Sequence, residues 1–296
     1  MDERNPAIGF IGVGILGKGL ALALASRGYR VAAAHSRSKS SAEWLAGRLP
    51  GCRVFDTAQE LSDAAGLVFI TTPDSSIGQV ATDVTWRPGQ WVVHCSGVAS
   101  TEVLGPASRQ GSLTGALHPL QTFAGLNEPE EAAARLSGVT FAVSGEGSLA
   151  GFLQEMASEL GGRHVSISDA DRPLYHAAAV LACPLLAAVM QAAVDIWQAM
   201  GFSAEQAVES LYPLTKGTVE NVARQGVAAS LTGPTVRGDV STIRGHLEAL
   251  YQRLPHVVPL YGALIRASLP LVAQRGVGPG QLLAMQELID HYSGAE

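Results

Sequence analysis

The sequence predicts an α/β protein: a doubly wound parallel sheet over residues 1–168, followed by an all-helical part over 169–296. Three observations lead there. Short apolar runs alternate with helical stretches through the first half. Several of those runs are apolar at nearly every position, as strands buried on both faces of a parallel sheet are. From Asp169 onward, strand-like runs all but disappear.

The elements follow in order. "AIGFIGVG" (7–14) reads as a strand ending in a glycine turn, and "ILGKGLALALASRG" as a helix closed by Gly28. "RVAAAHS" is a second strand. "LVFITTPD" (67–74) and "QWVVHCSG" (90–97) are buried strands ending in small or polar residues, and "LTGALHP" is a further apolar segment. "GVTFAVSG" (138–145) and "RHVSIS" (163–168) flank the helical stretch "SLAGFLQEMASELGG". Beyond them, a long apolar helix opens near Asp169 or Asp171 as its cap, with Pro173 in the first turn and a kink expected at Pro184. Later helices are broken at "GFS", "GPTVRGD" and "GVGPG".

Composition narrows the function. Apolar residues make up 47% of 296, enough for a large core. A net charge of −6 argues against a general nucleic-acid binder. Cys52, Cys95 and Cys183 are too widely spaced for a disulfide framework or a metal site, which fits a reducing compartment. The apolar run 177–190 falls short of the roughly 18 residues that a membrane span needs, so a buried core helix is expected. The N-terminal apolar stretch follows Asp2 and Glu3 and is punctuated by glycines, unlike an export signal. The expectation is a cytoplasmic protein that acts on a small molecule, away from membranes and nucleic acids.

Gly12-Val13-Gly14-Ile15-Leu16-Gly17 is a G-x-G-x-x-G at the junction of the first strand and helix. Gly12 permits a tight turn, Gly14 lets a diphosphate approach the backbone, and Gly17 with Ala21 allows close helix–strand packing. The helix N-terminus supplies amide donors and partial positive charge. At the end of the second strand, an NAD site usually carries an acid; here the chain reads His35-Ser36-Arg37-Ser38-Lys39-Ser40. Ser36, Arg37 and Ser38 suit a 2′-phosphate, with Lys39 as added charge, so the expected cofactor is NADP(H). The alternative is a solvated basic loop. Thr72, Pro73 and Ser96 end the next two strands and are expected to border the nicotinamide ribose. Cys95 reads as a buried small residue; its neighbour His94 faces the other side of the strand.

For the chemistry, "HPLQTF" (118–123) is a rigid loop expected to present His118 and Gln121 over the nicotinamide. His176, on the otherwise apolar face Leu174 to Leu181, is a second candidate acid; a core histidine bound to a carbonyl is its alternative. Tyr175 points elsewhere on that helix and reads as packing. Lys216 is the one lysine outside the cofactor half of a chain with seventeen arginines, and a third catalytic candidate. Asn221 and Arg237 are candidates for orienting a substrate. Arg237 could grip a carboxylate bidentately, or pair with Asp239 or Asp195 to hold a helix junction.

"GFIGVGILGKGL", "TTPD", "CSG", "HPLQTF", "YHAAAVLAC" and "LTGPTVRGD" occur in that order. In them the chain resembles, over nearly its whole length, a bacterial family of NADP oxidoreductases that joins a Rossmann-like domain to a helical domain of unknown function. That family is similar in architecture to the 6-phosphogluconate, β-hydroxyacid, ketopantoate and pyrroline-carboxylate reductases. The resemblance implies a homodimer through the helical domain, and a small branched 2-oxo acid such as ketopantoate as first substrate. Many β-hydroxyacid dehydrogenases carry Lys-x-x-x-Asn early on the interdomain helix; here Arg172 and His176 hold that spacing, which departs from the lysine mechanism. The expected activity is NADPH-dependent reduction of a small carbonyl acid. The alternatives are a cyclic-imine reductase of the pyrroline-carboxylate type and a sensor that binds NADP(H) without turnover.

Overall fold

Every residue of β1 (Ile8–Ile11) is buried, because the strand lies inside the sheet with helices on both faces. The computed structural model describes residues 5–294. The chain then runs through α1 (Ile15–Ser26), β2 (Val31–His35), α2 (Lys39–Ala46), β3 (Arg53–Val54), α3 (Ala58–Ala64), β4 (Leu67–Ile70), α4 (Asp74–Asp83) and β5 (Trp91–His94). A 3-10 turn (Thr101–Leu104), α5 (Gly105–Ser108), β6 (Leu113–Pro119), α6 (Pro129–Ala134), β7 (Thr140–Gly145), α7 (Ser148–Glu159) and β8 (Arg163–Ser166) follow. A second 3-10 turn (Asp169–Asp171) leads into α8 (Arg172–Ala182).

The strands form one sheet in the order β3-β2-β1-β4-β5-β6-β7-β8. The doubly wound sheet is therefore present, parallel everywhere except between β6 and β7, where Leu117 faces Val143 across an antiparallel pair. A run buried on both faces reads alike in either direction, so that reversal leaves no mark in "GVTFAVSG". Strand order reverses between β1 and β4, and the crevice beyond the carboxyl ends of those two strands is where open sheets bind ligands.

Alternate residues of the central strands feed two cores. Phe10, Phe69, Trp91 and Val93 pack with Leu20, Leu24, Leu149 and Leu153; the Phe10 and Phe69 rings stack at 5.3 Å. Ile11, Val68, Ile70 and Val92 pack with Leu61, Ile77 and Leu104 on the other side. Each such side chain contributes about 1.5–3 kcal/mol by leaving water. α1 meets α6 so closely that a Cβ on Gly19 would lie 2.7 Å from the Ala132 methyl. The outer strand β8 is exposed throughout, and its Arg163 and His164 discourage edge-to-edge pairing.

This first compact unit continues through Cys183, past the compositional change at residue 169; a second begins at Pro184. The second unit is all-helical: α9 (Pro184–Ala199), α10 (Ala204–Gln225), α11 (Val227–Ser230), α12 (Val240–Arg253), α13 (Val258–Gln274) and α14 (Pro279–Ser293). Its core is built from Ile243, Leu247, Leu250, Val257, Ile265, Met285 and Ile289. The long apolar helix is interrupted at Cys183, whose backbone (φ −125°, ψ −83°) leaves the helical region. Pro184 explains this: its ring disfavours the helical conformation in the residue before it. The run 177–190 also departs from the expected buried helix. Leu181, Leu185 and Leu186 are exposed. Two helical stretches, Asp169–Ala199 and Pro255–Gln274, are long and apolar enough to cross a membrane by length and composition.

Candidate active site

The glycine turn after β1 is locked to the end of β4. Gly12 has φ +91°, and a Cβ there would sit 2.7 Å from the Thr72 amide nitrogen. Gly17 is equally constrained: its Cβ would meet the Gly12 carbonyl oxygen at 2.6 Å and Thr71 Oγ1 at 2.7 Å. The Thr71 hydroxyl donates to that same carbonyl. Gly14, by contrast, opens onto free space. It is the N-cap of α1, with no side chain capping the first-turn amides and no acid in that turn. Unsatisfied donors and dipole thus point into open space with no acid in the first turn, which suits a diphosphate. Thr72 Oγ1 is buried without a hydrogen-bond partner among the described residues, a second group that fits a bound nucleotide.

After β2, Arg37 is exposed and has no ion-pair partner among the described residues. Ser36 is half-buried, and Ser38 begins α2 with its hydroxyl 3.0 Å from that of Ser40. Lys39 does not add free charge here. Its Nζ pairs with Asp56 at 2.8 Å, an acid brought in from the start of the segment leading to α3. Arg37 is thus the cation of the 36–40 segment without a paired acid among the described residues.

The rim formed by the ends of β5 and β6 holds the candidate chemistry. A Cβ on the buried Gly97 would lie 2.9 Å from both Cε1 and Nε2 of His118 and 3.1 Å from Cδ2 of His176. The structure thus gathers His118 and His176 about one glycine. Tyr175 is not packing alone. Its hydroxyl lies 2.7 Å from His118 Nδ1, the two rings edge to face at 5.6 Å. Consecutive helix residues are splayed by about 100°, which puts the phenol on His118 and the imidazole edge of its neighbour on Gly97. Burial, with His176 and Arg172 adding to it, pushes the His118 pKa down to about 4 against a smaller opposing pull from Asp74. His118 is consequently neutral at physiological pH. Burial raises the Tyr175 phenol to about 12, so it keeps its proton.

Sequence reasoning missed what supports this rim. Arg172 is fully buried, with each of its three nitrogens on a different element. Nε donates to Asp169 Oδ1 (3.1 Å), Nη1 to the Ser96 carbonyl (3.2 Å) and Nη2 to Ser144 Oγ (2.7 Å). Asp169 is held in turn by the Thr101 amide and hydroxyl. Ser96 is occupied: its hydroxyl donates to Asp74 Oδ2 at 2.7 Å and accepts the Ala99 amide at 3.0 Å. The Asp-x-x-Arg spacing of residues 169 and 172 was the local sign of one of these bonds; the others join residues far apart in sequence. Neither is 169 or 171 a side-chain cap for α8; Ser168 caps the turn before it.

Cys95 packs in the same core as Val93, and His94 between them alternates to the other face. His94 Nδ1 accepts the Ser96 amide, its Nε2 has no partner among the described residues, and burial first, then Arg172, depresses its pKa to about 4. Cys95 is buried and its thiol is pushed to about 12, which excludes an activated nucleophile. Pro73 is exposed where it precedes α4. His118 and Pro119 are the last residues of β6, paired with Ala142 and Phe141, and belong to a strand rather than to the expected loop; beyond them Phe123 packs on the core while Gln121 is exposed, its side-chain oxygen accepting the Thr122 amide.

Lys216, Asn221 and Arg237 all belong to the second unit. Lys216 is exposed, 3.9 Å from Glu220. Asn221 Oδ1 accepts from Arg224 at 2.6 Å. Arg237 is exposed and forms no ion pair within 4 Å among the described residues. Asp239 instead caps α12 through the Thr242 amide and hydroxyl, bonds that hold its carboxyl down at about 2.

Comparison with known proteins agrees with this architecture. Residues 2–119 match a Rossmann-like domain, and residues 139–268 match a domain of unknown function, DUF2520. A search of curated proteins finds no relative. Among solved structures, a Thermotoga maritima protein is 23% identical with a TM-score of 0.73, covering 90% of this chain and 99% of its own. A candidate NADP oxidoreductase of Bacteroides fragilis is 24% identical, TM-score 0.70, covering 89% and 98%. A reductive aminase from Aspergillus terreus, in complex with NADPH and ethyl-5-oxohexanoate, is 16% identical, TM-score 0.65, covering 98% and 94%. At these identities the likeness is one of fold.

Proposed function

We propose that this chain, a Rossmann-like domain continued by a DUF2520 domain, is an NADPH-dependent reductase of a small carbonyl compound. One observation carries the reading: a glycine cradle with open donors and a paired-histidine rim lie on the same carboxyl-end edge of one sheet. From β1 to β6 is three strand spacings, about 14 Å, a distance that a ribose and a ring extending from the cradle can cover. The α1 amides and Gly14 would hold the diphosphate, Arg37 with Ser36 and Ser38 the 2′-phosphate, and Thr72 a ribose hydroxyl. NADPH, when bound, supplies a hydride. The similarity of the fold to proteins named for NADP or NADPH supports the choice of nucleotide.

His118 and His176 are the groups placed to act on a carbonyl oxygen. The substrate tried first is a branched 2-oxo acid such as ketopantoate, with Gln121 as the candidate of the first unit for holding its carboxylate; Lys216, Asn221 and Arg237 belong to the second unit and are tested separately by substitution. Cyclic imines form the second arm of the test. We also infer a homodimer, supported by the exposed leucines of α8 and α9, and a reducing, cytoplasmic setting, supported by three free cysteines. Calorimetry with NADPH and NADH, followed by loss of NADPH absorbance across a panel of 2-oxo acids and cyclic imines, tests the reading. His176→Ala is expected to lower turnover while leaving NADPH affinity nearly intact. A chain that ignores both nucleotides is no reductase, and light scattering that gives a monomer mass removes the dimer.

A further inference from the structure

His118 has two ring nitrogens in different situations. Nδ1 faces the Tyr175 hydroxyl at 2.7 Å, and Nε2 lies against Gly97 with no hydrogen-bond partner among the described residues. Tyr175 has no other acceptor for its single proton among the described residues. Within the protein, that proton is satisfied by donation to Nδ1. The reverse arrangement turns the phenolic hydrogen out to solvent and gives up its bond inside a half-buried site. Donation to Nδ1 leaves the imidazole proton on Nε2.

We propose that Tyr175 fixes His118 as the Nε2–H tautomer, making it a neutral donor that selects a substrate presenting a carbonyl oxygen over one presenting an iminium N–H. The claim rests on the reductase reading and narrows its substrate class. An oxygen lone pair complements Nε2–H; a protonated imine brings a second donor to it, and of the nearby carboxylates Asp74 Oδ2 is already bonded to Ser96 and Asp169 to Arg172 and Thr101. Around the pair stand Arg172 and His176 from the start of α8 and Asp74 from α4, and the chemistry leaves all three in place. As hydride reaches the carbonyl carbon, the C=O π pair moves to oxygen. His118 gives that oxygen its Nε2 proton and takes the Tyr175 proton on Nδ1; solvent then returns a proton to Nε2 as the Nδ1 proton goes back to the phenolate, which restores the starting tautomer. The transfer runs downhill because a secondary alkoxide is a stronger base than a phenolate. Tyr175 is a positioning residue that also replaces the proton given up; His118 is the group that touches substrate.

The test begins with the full-length protein free of nucleotide. Long-range 15N–1H correlation, with His118→Gln to assign the signals, is expected to show a bare Nδ1 and a protonated Nε2 at neutral pH. Tyr175→Phe is expected to give mixed tautomers, and to lower kcat on the preferred oxo acid by roughly tenfold with KM little changed. A protonated Nδ1 in the wild type overturns the proposal, whether or not the variant folds. So does a wild-type kcat/KM higher for a cyclic imine than for every oxo acid, or a Tyr175→Phe enzyme with unaltered tautomer and kcat. Failure to bind NADPH overturns the reductase reading and the substrate selection with it, while the spectrum still decides the tautomer by itself.

Discussion

Replacing Arg172 with methionine removes the buried cation but keeps an unbranched stem in its place. Three bonds disappear, to Asp169, Ser96 and Ser144, and hydrogen bonds to a charged donor contribute about 1.5–3 kcal/mol each. They do not add in full. Asp169 keeps the Thr101 amide and hydroxyl, and its carboxylate is 31% exposed, so water compensates much of the loss. Ser144 still donates to the Ile167 carbonyl at 2.6 Å. Only the Ser96 carbonyl loses its charged donor outright, and the guanidinium no longer has to be desolvated. Breaking a buried pair costs about 3–5 kcal/mol when the partner is stranded; here the partner is not, and about 2–3 kcal/mol is expected. For a unit of this size that is a fall in Tm of roughly 5–10 °C. Urea unfolding followed by tryptophan fluorescence at pH 7.5 measures it, Trp86 and Trp91 both being buried in the first unit. A second readout is independent: without the cation, the His118 pKa rises from about 4. A variant as stable as the wild type, or an unmoved His118 titration, would refute the clamp.

Three further expectations concern the acid limb and the cofactor. His94 and His118 both titrate near 4 in the folded chain and near 6.5 unfolded, so their stabilisation is complete above pH 6.5 and lost as pH falls through 4. Between those limits stability should drop by about 2.7 kcal/mol per pH unit for two protons, and His94→Gln should halve that slope in urea titrations. Arg37→Ala should weaken NADPH by about 1.5–3 kcal/mol and NADH hardly at all; calorimetry showing equal losses would refute the 2′-phosphate assignment. Gly17→Ala should cost about 1–3 kcal/mol of stability and most of the nucleotide affinity, because its methyl collides with the Gly12 carbonyl and Thr71 rather than with a yielding side-chain tip; unchanged thermal and binding midpoints would contradict the close packing.

What the chain alone disclosed follows the range of the forces involved. "IGFI", "LVFI" and "WVVH" declare doubly buried strands, because burial acts on each residue where it stands. The glycine turn is equally local, since φ +91° at residue 12 demands glycine whatever surrounds it. Arg172 was opaque for the opposite reason: residues 96, 144 and 169 become its partners only once β5, β7 and a 3-10 turn converge. The same holds for Tyr175, 57 positions from the histidine it binds, and for Lys39, neutralised by an acid 17 positions away. The apolar run at 177–190 shows a different limit. Its composition reports that it avoids water, but not whether one copy of the chain supplies the cover.

Arg172 combines two roles that a different substitution separates. Its charge helps hold His118 neutral, and its planar fork ties β5, β7 and the turn before α8 together. Lysine keeps the charge and loses the fork, since one ammonium at the end of a flexible stem cannot reach a carbonyl, a hydroxyl and a carboxylate set on three elements. Arg172→Lys should therefore unfold at lower urea, close to the methionine variant, while its His118 titrates as in the wild type. If lysine restores stability, the clamp is electrostatic and the fork geometry is incidental. If lysine raises the His118 pKa as methionine does, the guanidinium acts on the imidazole by holding the rim in place, and its field contributes little.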